Sequence, residues 1–195
     1  MRRSRGRWGY LLDTLMTLRD QTDHRDFRRV VELLATSTRV AVFGIGPSNA
    51  IARYFAVQLG RFGCQALSLG RTGLLFADDL HALRPGDAVV VLAYDRVYAE
   101  IELLLAETKR LKIPAVLITD SLKAKLQGRV ALTLTVPRGK ANLLGMHTAT
   151  LALLEALLVG LAGQTSRQTV ASLDRLNTLR EALAGKALSL PTPSA

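Results

Sequence analysis

Five short aliphatic runs recur along the chain: RVAVF at 39–43, CQALSL at 64–69, DAVVVLAY at 87–94, PAVLIT at 114–119 and VALTLTV at 130–136. Most do not alternate apolar with polar positions, as a half-solvated strand would. Strands that are apolar on both faces are covered from both sides, the habit of parallel sheets. Between the runs the spacing shifts to the helical period, over Ser48–Phe62, Thr72–Leu83 and Val97–Leu111, and the turn segments RPGD and KIP precede the third and fourth runs. Strands and helices in alternation predict an α/β fold. Its expected form is a doubly wound, three-layer sandwich with a five-stranded parallel sheet, helices on both faces and right-handed crossovers.

Two further helical regions flank this unit. The first, Leu11–Ala35, is expected to break near Asp20–Asp23, where Thr22 or Asp23 caps a second helix. The second pairs Leu143–Leu161 with Ser166–Leu183 across the break AGQTS. The expected organisation is a basic tail over 1–10, a single domain over 11–185 and a disordered tail over 186–195. Within the domain, N-terminal helices occupy 11–36, the α/β core 39–136 and C-terminal helices 142–185. One domain suits 195 residues of which 49% are hydrophobic.

Composition narrows the picture further. The segment TATLALLEALLVGLAG is apolar enough to be weighed as a membrane span, but a span needs about 20 residues without charges. Glu155 sits in its middle, so a buried or dimer-facing helix is expected and no membrane. The arginine-rich first ten residues are followed by no apolar core or cleavage site, so no secretory signal is read. The single Cys64 has no partner for an internal disulfide and reads as a strand residue in a reducing compartment. A cytoplasmic location is expected. The net charge of +10, with arginines at 2, 3, 5 and 7 and at 25, 28 and 29, raises nucleic acid as a partner, but no zinc-finger spacing, aromatic–basic interleaving or helix–turn–helix accompanies it. A solvated basic face is the plainer account, and it also attracts anionic ligands.

The chemistry concentrates in RVAVFGIGPSNAIARYFAVQLGRFG, Arg39 to Gly63. A strand that runs through Gly44, Gly46 and Ser48 into a helix brings backbone N–H groups and the positive end of a helix dipole together, an anion site by geometry. Glycine permits the tight turn and close ligand approach. Ser48 caps the helix or offers its hydroxyl, and the N–H groups of Gly46, Ser48 and Asn49 are candidate donors. The third glycine of a dinucleotide fingerprint is replaced by Asn49, and no acidic residue follows before Asp78. A Walker ending is missing too. No nicotinamide, ATP or other cofactor is expected; the glycines either hold a small anionic ligand or simply make a turn.

This stretch, followed by RPGDAVVVLAYDRVYAEIELLLAETKRLKIPAVLITDS, resembles the SIS (sugar isomerase) domain. More narrowly, it resembles the effector domain of RpiR/MurR-type bacterial transcriptional regulators. The likeness runs from about Leu11 to Ala162. It implies a flavodoxin-like sheet, a homodimer or tetramer, and a phosphosugar or related carbohydrate derivative bound at the C-terminal ends of the strands. Such regulators also carry an N-terminal helix–turn–helix domain, which the residues before Leu11 are too few to form. Direct nucleic-acid binding is therefore not expected without a separate DNA-binding domain. SIS domains generally cradle phosphate in a Ser/Gly/Thr-rich loop after the third strand. Here Ala93 to Glu100 reads AYDRVYAE, with none of those residues. Asp95 repels a dianion, Arg96 offsets or grips it, and Tyr94 offers a ring to a sugar face; alternatively the loop is merely solvated.

Isomerisation of a sugar phosphate needs a base. Glu100, at the start of a helix, and His147, in NLLGMHTAT, are the weak catalytic candidates, and the structural reading is the favoured one for each: a helix-start carboxylate and a packed, hydrogen-bonded histidine. His81 beside Asp78 and Asp79 reads as a solvated helix face, no metal-ligand spacing is present, and His24 lies in a charged break. After the second strand, Arg71 and Thr72 are placed to complete an anion site or to start a helix. The leading expectation is a carbohydrate-derivative-binding sensor or regulator. An aldose–ketose phosphate isomerase, and a ligand-free dimerisation module built on Leu151–Leu161, are the alternatives.

Overall fold

Val40 and Val42 point to one side of the first strand and Ala41 and Phe43 to the other, and all four are buried. The computed structural model, which describes residues 2–138 and 145–184 with side chains from Trp8 onward, shows why the run is apolar throughout. Strand β1 (Arg39–Gly44) lies inside a five-stranded parallel sheet with β2 (Ala66–Leu69), β3 (Asp87–Leu92), β4 (Ala115–Thr119) and β5 (Leu132–Thr135), in the order β2-β1-β3-β4-β5. One face is covered by α1 (Arg2–Gln21), α2 (His24–Thr36), α3 (Pro47–Arg61) and α6 (Thr148–Gln164). The other face carries α4 (Phe76–His81), which follows a 3₁₀ turn at Gly73–Leu75, and α5 (Ala99–Leu111). Helix α7 (Ser166–Ala184) closes the described chain.

Several boundaries differ from the sequence reading, each for a local reason. Residues 2–10, expected as a tail, belong to α1; arginine is a good helix former, no proline intervenes, and Leu18 docks the far end into the core. The break before α2 falls where expected, and Asp23 caps it by accepting hydrogen bonds from the N–H groups of Arg25 and Asp26. Cys64 is not a strand residue. It belongs to the stop signal of α3, in which its N–H reaches the Leu59 carbonyl and that of Gly63 (φ +84°) reaches Gly60, a Schellman closure. Leu153, Leu154, Leu157, Leu158 and Leu161 are core residues packed under α2 and α3. Most of the apolar surface of α6 is therefore spent inside the chain, and of the expected Leu151–Leu161 interface Leu151 and Val159 stay exposed. The expected helix start at Leu143, the C-terminal boundary at 142 and the tail over 186–195 lie outside the described residues. Among the described residues no single helix is long and apolar enough to cross a membrane.

At the N-terminal edge of the sheet, Asp87 is almost fully buried and its carboxylate takes a two-pronged bond from Arg39, at 2.6 and 3.1 Å, and one from the Arg84 N–H at 2.8 Å. This joins the first residues of β1 and β3, which are register partners. Removing one member of a buried charge pair leaves the other uncompensated. Asp87→Ala is accordingly expected to lower unfolding free energy by about 3 kcal/mol; denaturant midpoints unchanged from the parent would show that the pair is dispensable.

Candidate functional site

The connection β1 to β2 goes to one side of β1 and the next strand, β3, lies on the other, so a crevice opens between the C-terminal ends of β1 and β3. The turn that leaves β1 decides its shape. A Cβ on Gly44 would stand 2.5 Å from the carbonyl oxygen of Ser48, so only glycine lets the first turn of α3 pack on the strand end. Gly46 takes the N-cap position with φ +60° and Pro47 the first helical position. Ser48 therefore sits one residue inside the helix, buried, and does not cap it. Of the three expected N–H donors, Asn49 is already committed to the Gly46 carbonyl.

A cavity of about 170 Å³ fills the crevice, lined by Pro47 and Ser48 from α3, Tyr98 and Ile101 from α5, and His147 at the start of α6. Tyr98 and His147 are the N-cap residues of their helices. Three helices of 13 to 17 residues thus turn their N-termini toward one space, where unpaired N–H groups and aligned peptide dipoles favour negative charge. Asp95, also in the lining, opposes this. It takes φ +59° while the Arg96 N–H bonds the Tyr94 carbonyl at 2.6 Å, a tight γ-turn in the strained hand.

The far wall is a polar chain that begins just beyond β5. The Arg138 guanidinium lies over the Tyr94 ring, 4.2 Å from its centroid, and its Nη2 reaches His147 Nε2 and the Gly145 carbonyl, both at 3.3 Å. His147 Nδ1 faces the Thr150 hydroxyl at 3.4 Å, and that hydroxyl meets the Tyr94 phenol at 2.9 Å. A guanidinium only donates. Nε2 must therefore accept, which leaves the imidazole proton on Nδ1, directed at Thr150. Burial first, and then the charge of Arg138, hold the imidazole below its ordinary value of 6.5; burial pushes the Tyr94 phenol up to about 12. Both groups are neutral around pH 7.

The SIS domain family matches residues 33–160, more than half of the chain. The chain belongs to the SIS domain family. No curated protein matches its sequence, but solved structures match its fold. The sugar isomerase domain of an RpiR transcription factor from Sphaerobacter thermophilus superposes with a TM-score of 0.80 at 20% identity, covering 88% of this chain and 96% of that one. The Vibrio vulnificus NanR protein, complexed with ManNAc-6P, gives 0.77 at 20% identity over 90% and 67%. A Methanococcus jannaschii protein, whose structure was taken to infer a 3-hexulose-6-phosphate isomerase function, gives 0.67 at 15% over 83% and 92%.

Within this SIS domain the residues singled out from sequence separate into two groups. Ser48, Tyr94 and His147 line the cavity, with Gly44 and Gly46 shaping its floor. The others are engaged elsewhere. Asn49 donates its amide to the Gly70 carbonyl and so ties the turn after β1 to the turn after β2. Arg71 is held by the buried Asp79 at 2.6 Å and by Asp78 at 3.3 Å, so its charge is already matched. That pairing also occupies the carboxylates noted near His81. Thr72 stands exposed before the 3₁₀ turn, with no side-chain cap bond. Arg96 is exposed and lies 5.9 Å over the Tyr98 ring, outside the cavity lining. Glu100 turns to the Gly73 N–H at 3.4 Å and does not line the cavity either. Arg138 and Thr150 were not anticipated. The one sequence signal for Arg138 was a cation in VPR directly after the fifth strand, where every parallel strand delivers its next residues to the ligand edge.

His147 has a lower proton affinity in the folded chain than in the unfolded one. Its contribution to stability is therefore present above pH 6.5 and lost as pH falls through its folded midpoint. Side-chain NMR should give a His147 midpoint below 6.5, and His147→Gln should flatten the acid limb of the stability profile. A midpoint at or above that value would contradict the arrangement with Arg138.

Proposed function

We propose that this SIS domain binds a small anionic carbohydrate derivative in the crevice between β1 and β3 and serves as a sensor or regulatory binding domain, not as a catalyst. The observation that carries this reading is the convergence of three helix N-termini on one cavity beside Arg138, which together oppose the carboxylates of Asp95 and Asp120. Ser48 supplies a hydroxyl for the ligand, and the exposed Tyr98 ring supplies a flat surface suited to a sugar. The NanR neighbour, complexed with a phosphorylated amino sugar, is compatible with this ligand class.

The case against catalysis rests on lone pairs. Aldose–ketose interconversion needs a group that takes a proton from one carbon and returns it to the next. His147 is the imidazole in reach, and its only acceptor nitrogen faces Arg138. Glu100 points at the Gly73 turn. The Tyr94 phenol, pushed up to about 12, is a poor base at neutral pH.

Calorimetric titration with hexose phosphates, amino-sugar phosphates and sugar acids should find at least one saturable ligand, weakened about fivefold by Ser48→Ala through the lost hydroxyl bond. The same panel should show no interconversion in a coupled assay. Silence across the titrations would overturn the binding reading. Turnover that disappears in His147→Gln would replace the sensor with the isomerase.

A further inference from the structure

Among the described residues Arg138 is the one cation that lines the cavity, and its position is anomalous for a charged side chain. Its Nε is buried with no hydrogen-bond partner. Its two contacts through Nη2 are long, at 3.3 Å each, and both go to neutral groups. No carboxylate pairs with it among the described residues. The two arginines singled out from sequence differ from it: Arg71 is matched by Asp79, and Arg96 is left in solvent. A partly desolvated guanidinium with under-used donors is costly unless an anion completes it.

We propose that Arg138 holds the acidic group of the ligand at the corner between β5 and α6, and that this corner, not the turn after β3, sets the preference for acidic over neutral sugars. The inference rests on the binding reading above and adds the orientation of the ligand to it. Three observations place the acid there. The guanidinium is spread over the Tyr94 ring at 4.2 Å, which fixes its plane and presents a planar fork suited to a carboxylate or phosphate oxygen pair. His147 begins α6 beside it, so the helix dipole adds to the same corner. The turn after β3 carries Asp95 in place of hydroxyl donors, and its carboxylate drives an oxyanion away from that end of the cavity. Arg138 and Asp95 thereby polarise the cavity, with hydroxyl-bearing atoms of the sugar left for the Asp95 end.

His147 provides the reporter. An oxyanion that docks on Arg138 offsets the charge that depresses the imidazole, so its titration midpoint must rise. The probes are a hexose 6-phosphate, the corresponding hexuronate and the free hexose, titrated by calorimetry into the parent, Arg138→Met and Arg138→Lys, with His147 followed by NMR. Arg138→Met keeps an apolar stem over Tyr94, and its melting temperature checks the fold.

Either acid, or both, should bind the parent and raise the His147 midpoint, and the hexose should leave it in place. Arg138→Met should weaken the acids by about tenfold or more, as loss of a charge-assisted pair does. Arg138→Lys should recover part of that loss, and recovery for phosphate but not for the uronate would identify phosphate as the group held. Acid binding that survives Arg138→Met within about threefold, especially if Asp95→Asn strengthens it more than tenfold, would put the acid at the β3 turn; this overturns the present proposal and leaves the binding reading standing. Absence of acid binding to the parent would overturn both.

Discussion

The close contact of the first turn of α3 with the end of β1 is the constraint on which the site depends. Gly44 has no Cβ, and that vacancy is filled by the Ser48 carbonyl. Any side chain there would push α3 outward and with it Ser48, the wall that faces Tyr94 across the crevice. The same glycine is the last residue of β1 and pairs with Leu92 of β3, so the strand order and the depth of the cavity meet at one residue. Asn49 extends the constraint sideways. Its amide bonds Gly70, and a Cβ on Gly70 would run into that amide. Two glycines thus let two loops close on one asparagine.

The electrostatics follow from this geometry more than from the overall charge of the chain. A basic surface is screened within about 10 Å at ordinary ionic strength, whereas helix ends and a half-buried guanidinium act at contact distance. Three N-termini and Arg138 face Asp95 in the lining, while Asp120 acts on Tyr94 from the end of β4. The neutral imidazole and phenol add no negative charge: Tyr94 is pushed up to about 12 and His147 is held low. The polar chain from Arg138 through His147 and Thr150 to Tyr94 also fixes these four groups in register across β3, β5 and α6, which would preorganise the proposed anion corner.

The α/β architecture was legible because strands buried on both faces leave an unbroken apolar run, and Val40 to Phe43 is the clearest case. Helix ends were less legible. Cys64 looks like strand in sequence, since it heads the run CQALSL, and only the positive φ of Gly63 reveals the Schellman closure. The site was half legible for a similar reason. A glycine turn has a local signature, so Gly44, Gly46 and Ser48 stood out. The fates of Arg71 and Glu100 depend on partners 8 and 27 residues away, and no local pattern encodes those. Arg138 and Tyr94 are farther apart still, and they meet because β3 and β5 both end at the same edge of one parallel sheet.

Structures of this fold include a protein complexed with ManNAc-6P and one whose structure was taken to infer an isomerase function, so the fold alone does not choose between binding and catalysis. The choice lies in how the cavity uses its titratable groups. A catalytic imidazole needs a free lone pair aimed at the substrate and a midpoint near the working pH. In this chain the lone pair of His147 faces Arg138, and the same cation lowers its proton affinity. On the proposed reading, this one interaction both withdraws the base and prepares the anion site, and the cavity is a receptor because its imidazole lone pair is spent on positioning a cation.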